Sequence, residues 1–285
     1  MFEYIYRCDP ANPTPHPLPA TPAEAIERIE TGNREFALLV QKARASEASW
    51  TRVVPLDLED VGRGLAPGEA PEQKPFGIVL SCADARVPVE MVLGQAVNDL
   101  FVVRVAGNVL GSESLGSIDY AAHHFTGSLR LLVVLGHSLC GAVAATVKAF
   151  LEPALYFRLA AAYPLRSIVD RILVTVQGAA RSLEAVYGRA VADQPGYRRA
   201  LLDLSVAFNT AQTAYSLREE LPPDIKQGVT VVFGVYDLAS RRVVQPQSPD
   251  LVALAEPPAG AEEFKRFALT VAGSEPIRRA LSGGT

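Results

Sequence analysis

The sequence holds only three cysteines, two methionines and one tryptophan in 285 residues. So odd and sparse a cysteine set (Cys8, Cys82 and Cys140) excludes a disulfide-built scaffold. In a reducing compartment such cysteines serve as metal ligands, reactive thiols or small buried residues. No charge of either sign dominates, and the formal net charge is −4. That mild acidity argues against a surface built to grip nucleic-acid phosphates or an anionic membrane. Long apolar runs are lacking too. The run from Leu129 to Gly136 is far too short to span a bilayer. Residues 1–20 have no apolar segment of the signal-peptide kind, so the chain reads as soluble and cytoplasmic.

The rest of the composition is that of a globular protein, 49% hydrophobic and 20% charged. A chain of this length buries a substantial core. Residues 1–20 read as a proline-rich, extended arm. A helix is predicted from Thr21 as N-cap, with Pro22 in the first helical position and Glu24 three residues after the cap. Ala25, Ile26, Ile29, Phe36, Leu38 and Leu39 give it an apolar stripe to about Ala43. Residues 61–75, rich in glycine and proline, read as a loop.

Short apolar strands then alternate with helical patterns. Strands are predicted over 76–81, 100–105, 129–135 and 229–236, and helices over 114–125, 141–151, 165–187 and 197–220. Strands apolar almost throughout, alternating with helices, predict an α/β fold with a mostly parallel central sheet covered on both faces. We expect one such domain over 21–244. Residues 245–285 read as an extension with one amphipathic helix near 260–271.

Cys82 follows the first of these strands and His137 the third, so both fall at the carboxyl edge of the sheet, where ligands bind in open α/β folds. Cys140 lies three residues after His137, at the start of the next helix, where the dipole favours a thiolate. Two thiolates and an imidazole make a good tetrahedral Zn²⁺ set with the fourth position open. H-x-x-C also recurs by chance, and a cysteine after a strand also serves as a small buried residue. Their agreement on one sheet edge favours the metal. Asp84 and Arg86 are spaced for a carboxylate–guanidinium pair beside it, though ordinary loops carry such pairs too.

The segments C-A-D-A-R-V-P (from Cys82) and L-G-H-S-L-C-G-A (around His137) together resemble the β-class carbonic anhydrases. So do Phe101 to Gly111, Ser117 to Ala121 and Val232 to Leu238, and the resemblance extends over about 22–242. It implies one Zn²⁺ per chain, held by Cys82, His137 and Cys140. It further implies reversible hydration of CO₂ to bicarbonate and a proton, with zinc-activated water oriented by the Asp84–Arg86 dyad. Gln73 resembles a glutamine that donates to substrate. Phe101 and Tyr120 resemble aromatic residues lent to the pocket by a neighbouring subunit, and Ala106 and Gly107 belong to its close-packed wall. A homodimer or tetramer follows, with the Thr21–Ala43 helix reaching over the neighbour. The same site would serve hydrolysis of carbonyl sulfide or carbon disulfide, or a non-catalytic bicarbonate- or zinc-binding protein. Two residues depart from the family pattern: Ala85 replaces a serine, and Val79 stands where some members carry a tryptophan beside an inhibitory bicarbonate. Arg104, inside a strand, is expected to pair across a subunit or a pocket wall. His16 and Cys8, in the arm, are expected to be solvated and incidental.

Overall fold

A computed structural model describes residues 2–9, 11, 16–45, 49–160 and 163–283. In chain order the elements are β1 (Phe2–Arg7), α1 (Pro22–Arg44), β2 (Trp50–Pro55), β3 (Gly77–Ser81), α2 (Val89–Leu93) and β4 (Leu100–Arg104). There follow α3 (Ser112–His124), β5 (Leu131–His137), α4 (Gly141–Leu151), α5 (Pro153–Ala160), α6 (Tyr163–Tyr187), α7 (Tyr197–Glu220) and α8 (Pro223–Lys226). The chain continues through β6 (Thr230–Tyr236), β7 (Val243–Gln245), β8 (Ser248–Val252), α9 (Ala261–Ala272) and α10 (Glu275–Leu281).

The central sheet has the order β4-β3-β5-β6-β7-β8. Its first four strands are parallel, and β7 and β8 run antiparallel at the far edge. The four sequence-predicted strands are the four parallel ones, which bears out the mostly parallel α/β expectation. Side-chain alternation divides the core in two. Ile78 and Leu80 of β3, Leu132 and Val134 of β5 and Phe233 of β6 face the layer built on α3, α4, α6 and α7. Val79, Leu131, Val133, Leu135 and Val232 face α1 and α2. Both faces are apolar because both are covered.

Thr21 caps α1 as its sequence predicts, its hydroxyl accepting from the Glu24 amide at 3.2 Å. Two details of α1 differ from expectation. Leu38 is half exposed, while Gly32 and Asn33 sit on the buried face. Asn33 donates to Val92 O and Arg241 O and accepts from the Val243 amide, tying α1 to α2 and to the start of β7. The buried part of the α1 stripe (Ala25, Ile29 and Phe36) packs against its own chain.

The arm is also less detached than the sequence suggests. β1 pairs in parallel with β2, a strand that sequence reading missed. His16 is not solvated: its Nε2 lies 2.9 Å from Asp99 Oδ2, and Arg28 bonds the same carboxylate at 2.6 Å. After β8, α9 and α10 join the main core through Phe267, Val271, Ile277 and Leu281. Phe267 meets Phe208 of α7 and Phe233 of β6 with ring centroids 6.0 and 5.8 Å apart. Each such pair adds roughly 0.5–1.5 kcal/mol to plain burial. No described helix is long and apolar enough to cross a membrane.

Candidate metal centre

The chain leaves β3 in one direction, to β4, and leaves β5 in the other, to β6. The carboxyl ends of β3 and β5 therefore flank the point where the winding reverses, which opens a crevice. Ser81 pairs with Leu135. Cys82 thus emerges from β3 beside the end of β5, where His137 is the last residue. Leu139 has a left-handed backbone, φ +58, unusual for a residue with a side chain. This turn swings Cys140 back to the N-cap of α4, beside His137. Ser138 pins the turn: its amide donates to Tyr236 O and its hydroxyl to Asp237 Oδ1.

The sulfurs of Cys82 and Cys140 and a nitrogen of His137 lie within 4.8 Å of one another, and all three residues are buried. The two sulfurs are 3.9 Å apart. The hydrogen bond shared with Cys140, with the Gly107 amide, lowers the pKa of Cys82 against the cost of burial, so the proton of the pair rests on Cys140. The same bond, with burial, pushes the Cys140 thiol up. His137 Nδ1 lies 3.0 Å from Ser138 O, a pure acceptor, so Nδ1 carries the proton. Nε2 is then a bare lone pair, fully buried and without a hydrogen-bond partner. An orphaned imidazole nitrogen facing a thiolate–thiol pair is a soft donor set for a divalent metal. These residues fit Zn²⁺.

Asp84 follows Cys82 on a loop braced from two sides. Arg86 grips its carboxylate bidentately, Nε to Oδ1 at 2.9 Å and Nη2 to Oδ2 at 2.7 Å. Those bonds hold the Asp84 carboxyl well below the usual carboxylate range. Asp84 Oδ2 lies 3.8 Å from His137 Nε2, so the carboxylate overhangs the donor set. Arg104 braces the loop from below, donating to Cys82 O at 3.1 Å and Asp84 O at 2.6 Å. It thus pairs with the wall of the site, one of the two expected partners. Ala85 is exposed, so the missing serine hydroxyl leaves no buried gap. Val79 is fully buried on the α1 side of the sheet.

Gly107 and Ala106 form a tight turn after β4, beside Cys82. The Gly107 amide donates to Cys82 Sγ at 3.3 Å. Gly107 has φ +69, and a Cβ there would come 2.8 Å from Ile172 Cδ1, so only glycine fits without a shift. Gln73, Phe101 and Tyr120 are not brought to these residues. Phe101 pairs with Ile78 near the start of β3, about 13 Å of strand from Cys82. Gln73 lines a surface groove with Phe101, and Tyr120 packs near it through Phe125.

The family model described as carbonic anhydrase matches residues 77–241, more than half of the chain. The chain belongs to the β-carbonic anhydrase family. Carbonic anhydrase 2 of Mycobacterium tuberculosis is 42% identical over 113 residues, 40% of this chain and 49% of that protein. The carbonic anhydrase of Mycolicibacterium smegmatis is 46% identical over 80 residues, 28% of this chain and 38% of the relative. This member of the β-carbonic anhydrase family thus spans about half the length, or less, of the mycobacterial relatives it matches. The carbonic anhydrase of Pseudomonas aeruginosa is 28% identical over 200 residues, 66% of this chain and 82% of that protein. Among solved structures, the β-carbonic anhydrase CcaA aligns at 22% identity with a TM-score of 0.45, covering 60% of this chain and 73% of that one. Sequence reading missed Asn209 and Thr210 of α7, which back the site. Asn209 donates to Gly107 O, and Thr210 presses on Gly136.

Proposed function

We propose that this chain is a zinc lyase, converting CO₂ and water reversibly to bicarbonate and a proton. The observation that carries the reading is the bare His137 Nε2 facing two cysteine sulfurs, with the clamped Asp84 carboxylate 3.8 Å away. Cys82, Cys140 and His137 would hold the metal. When bound, Zn²⁺ supplies Lewis acidity that brings the pKa of water towards roughly 7. Asp84, kept ionised by Arg86, only accepts hydrogen bonds. It would therefore accept a hydrogen bond from the attacking oxygen without removing its proton, leaving that oxygen's lone pair directed at CO₂. Ala106 and Gly107 wall the site with small groups suited to an uncharged linear molecule.

A second copy completes the pocket in this proposal. Gln73 in the loop before β3, Phe101 on β4 and Tyr120 on α3 lie away from their own centre, with Gln73 and Phe101 in one surface groove and Tyr120 next to it through Phe125. Tyr120 and Val97 on that surface are 50% and 54% exposed. β4 is an edge strand with one row of backbone groups unpaired by the sheet. A two-fold dimer, alone or paired into a tetramer, covers this face and places Gln73 to orient a substrate oxygen in the partner's site. We further propose a cytoplasmic location, since so sparse a cysteine set suits a reducing compartment.

The test is metal analysis with stopped-flow CO₂ hydration, run beside carbonyl sulfide hydrolysis on the same preparation. One zinc per chain with CO₂ turnover supports the proposal. Carbonyl sulfide turnover alone reassigns the substrate. Zinc without either activity leaves a binding protein.

A further inference from the structure

A buried amide side chain on α7 stands behind the Cys82 sulfur. Asn209 is 3% exposed, and its Nδ2 donates to Gly107 O at 2.8 Å across 102 residues of sequence. Gly107 in turn donates its amide to Cys82 Sγ at 3.3 Å. The two bonds belong to successive peptides, so their link is mechanical: a fixed Gly107 carbonyl fixes the direction of the Gly107 N–H. Gly107 needs such a hold. With no side chain and φ +69, its own conformational preferences do not select this geometry. Burying an amide is unfavourable unless it is paired, and the helix itself gains nothing from asparagine at 209.

We propose that Asn209 is a positioning residue for the metal centre, acting through Gly107 to keep an N–H aimed at Cys82 Sγ. The inference rests on the proposed metal reading. An N–H donor to a thiolate offsets part of its charge and limits its rotation, so the sulfur keeps one lone pair directed at the metal. Loss of the Asn209 bond frees Gly107 to turn its amide away. Partners of this kind typically contribute 10–100-fold to metal affinity.

The experiment uses full-length protein loaded with ¹¹³Cd, read by NMR at the Gly107 amide proton. Wild-type protein should bind one cadmium per chain and show scalar coupling from that proton through Cys82 Sγ to the metal. Asn209→Leu, equal in size and without a donor, should lose the coupling and lower zinc affinity about 10-fold. A purely structural role would lower the melting temperature and leave both the coupling and the affinity unchanged, which overturns the proposal. The wild-type spectrum is decisive even where the variant misfolds: bound cadmium with no coupling at Gly107 also overturns it. A chain that takes up no cadmium overturns the metal reading itself, and this inference with it.

Discussion

Gly136 stands immediately before His137, and Thr210 of α7 presses on it. A Cβ at 136 would come 2.0 Å from Thr210 Oγ1, 3.2 Å from its Cβ and 3.3 Å from its Cγ2. Thr210 is fully buried, and its hydroxyl donates to Val206 O at 2.8 Å. The side chain therefore has nowhere to swing without stranding its hydroxyl, and β5 and α7 must part. Overpacking of this kind costs about 1–3 kcal/mol. We predict that Gly136→Ala falls near the upper end, and that zinc binding weakens as the His137 end of β5 shifts. Thr210→Ala alone loses one buried hydrogen bond and a methyl group, about 1–2 kcal/mol. In the double variant only the Cβ contact at 3.2 Å remains. It should therefore be more stable than the sum of the single changes, by about 1–2 kcal/mol. Urea unfolding of the four proteins measures this. A Gly136→Ala protein of wild-type stability, or a strictly additive double variant, would refute the packing argument.

Three further outcomes are expected. Cys140→Ser should lose most bound zinc, and wild-type zinc affinity should fall in acid as protons compete for the thiolates; metal analysis across a pH series checks both. Asp99→Ala, which removes the buried carboxylate shared by His16 and Arg28 while Arg28 keeps its bonds to Gln95 and Pro17, should destabilise the fold by about 3 kcal/mol in urea melts. Burial raises the Asp99 pKa, but His16 and Arg28 outweigh it and the net shift is downward. Its contribution is therefore complete above about pH 4 and disappears as pH falls through the folded value, so the variant's stability should depend less on acid. If the proposed dimer forms, with an interface well above roughly 1,600 Å², dilution should abolish activity; light scattering that finds a fully active monomer would remove Gln73, Phe101 and Tyr120 from a shared site.

The parallel strands were legible because each is a short, wholly apolar run, and because both ligand-bearing segments follow such a run directly. Cys82, His137 and Cys140 then fall on one edge by topology alone. The supports behind them were not legible. Asn209 reaches Gly107, and Thr210 meets Gly136, across sequence separations that no local spacing records. Each reads simply as a polar residue on a helix. Arg104 is a charge in a strand, and nothing local distinguishes a partner subunit from the backbone carbonyls it braces. β1 and β2 stayed hidden because a two-stranded sheet beside a proline-rich arm has little apolar periodicity. His16 looked solvated because its partner, Asp99, is 83 residues away. α10 escaped because it is short and opens on Glu275-Pro276, which reads as a turn.

In the proposed function the clamped carboxylate of Asp84 directs hydration at the Cys82–His137–Cys140 centre. The most direct test of this role is stopped-flow CO₂ hydration by zinc-loaded wild type and Asp84→Asn, with zinc measured in both. The account predicts equal zinc content and a loss of about 100-fold or more in the variant, the scale of a positioned proton-handling group. An Asp84→Asn protein that hydrates CO₂ at the wild-type rate with its zinc in place would contradict it.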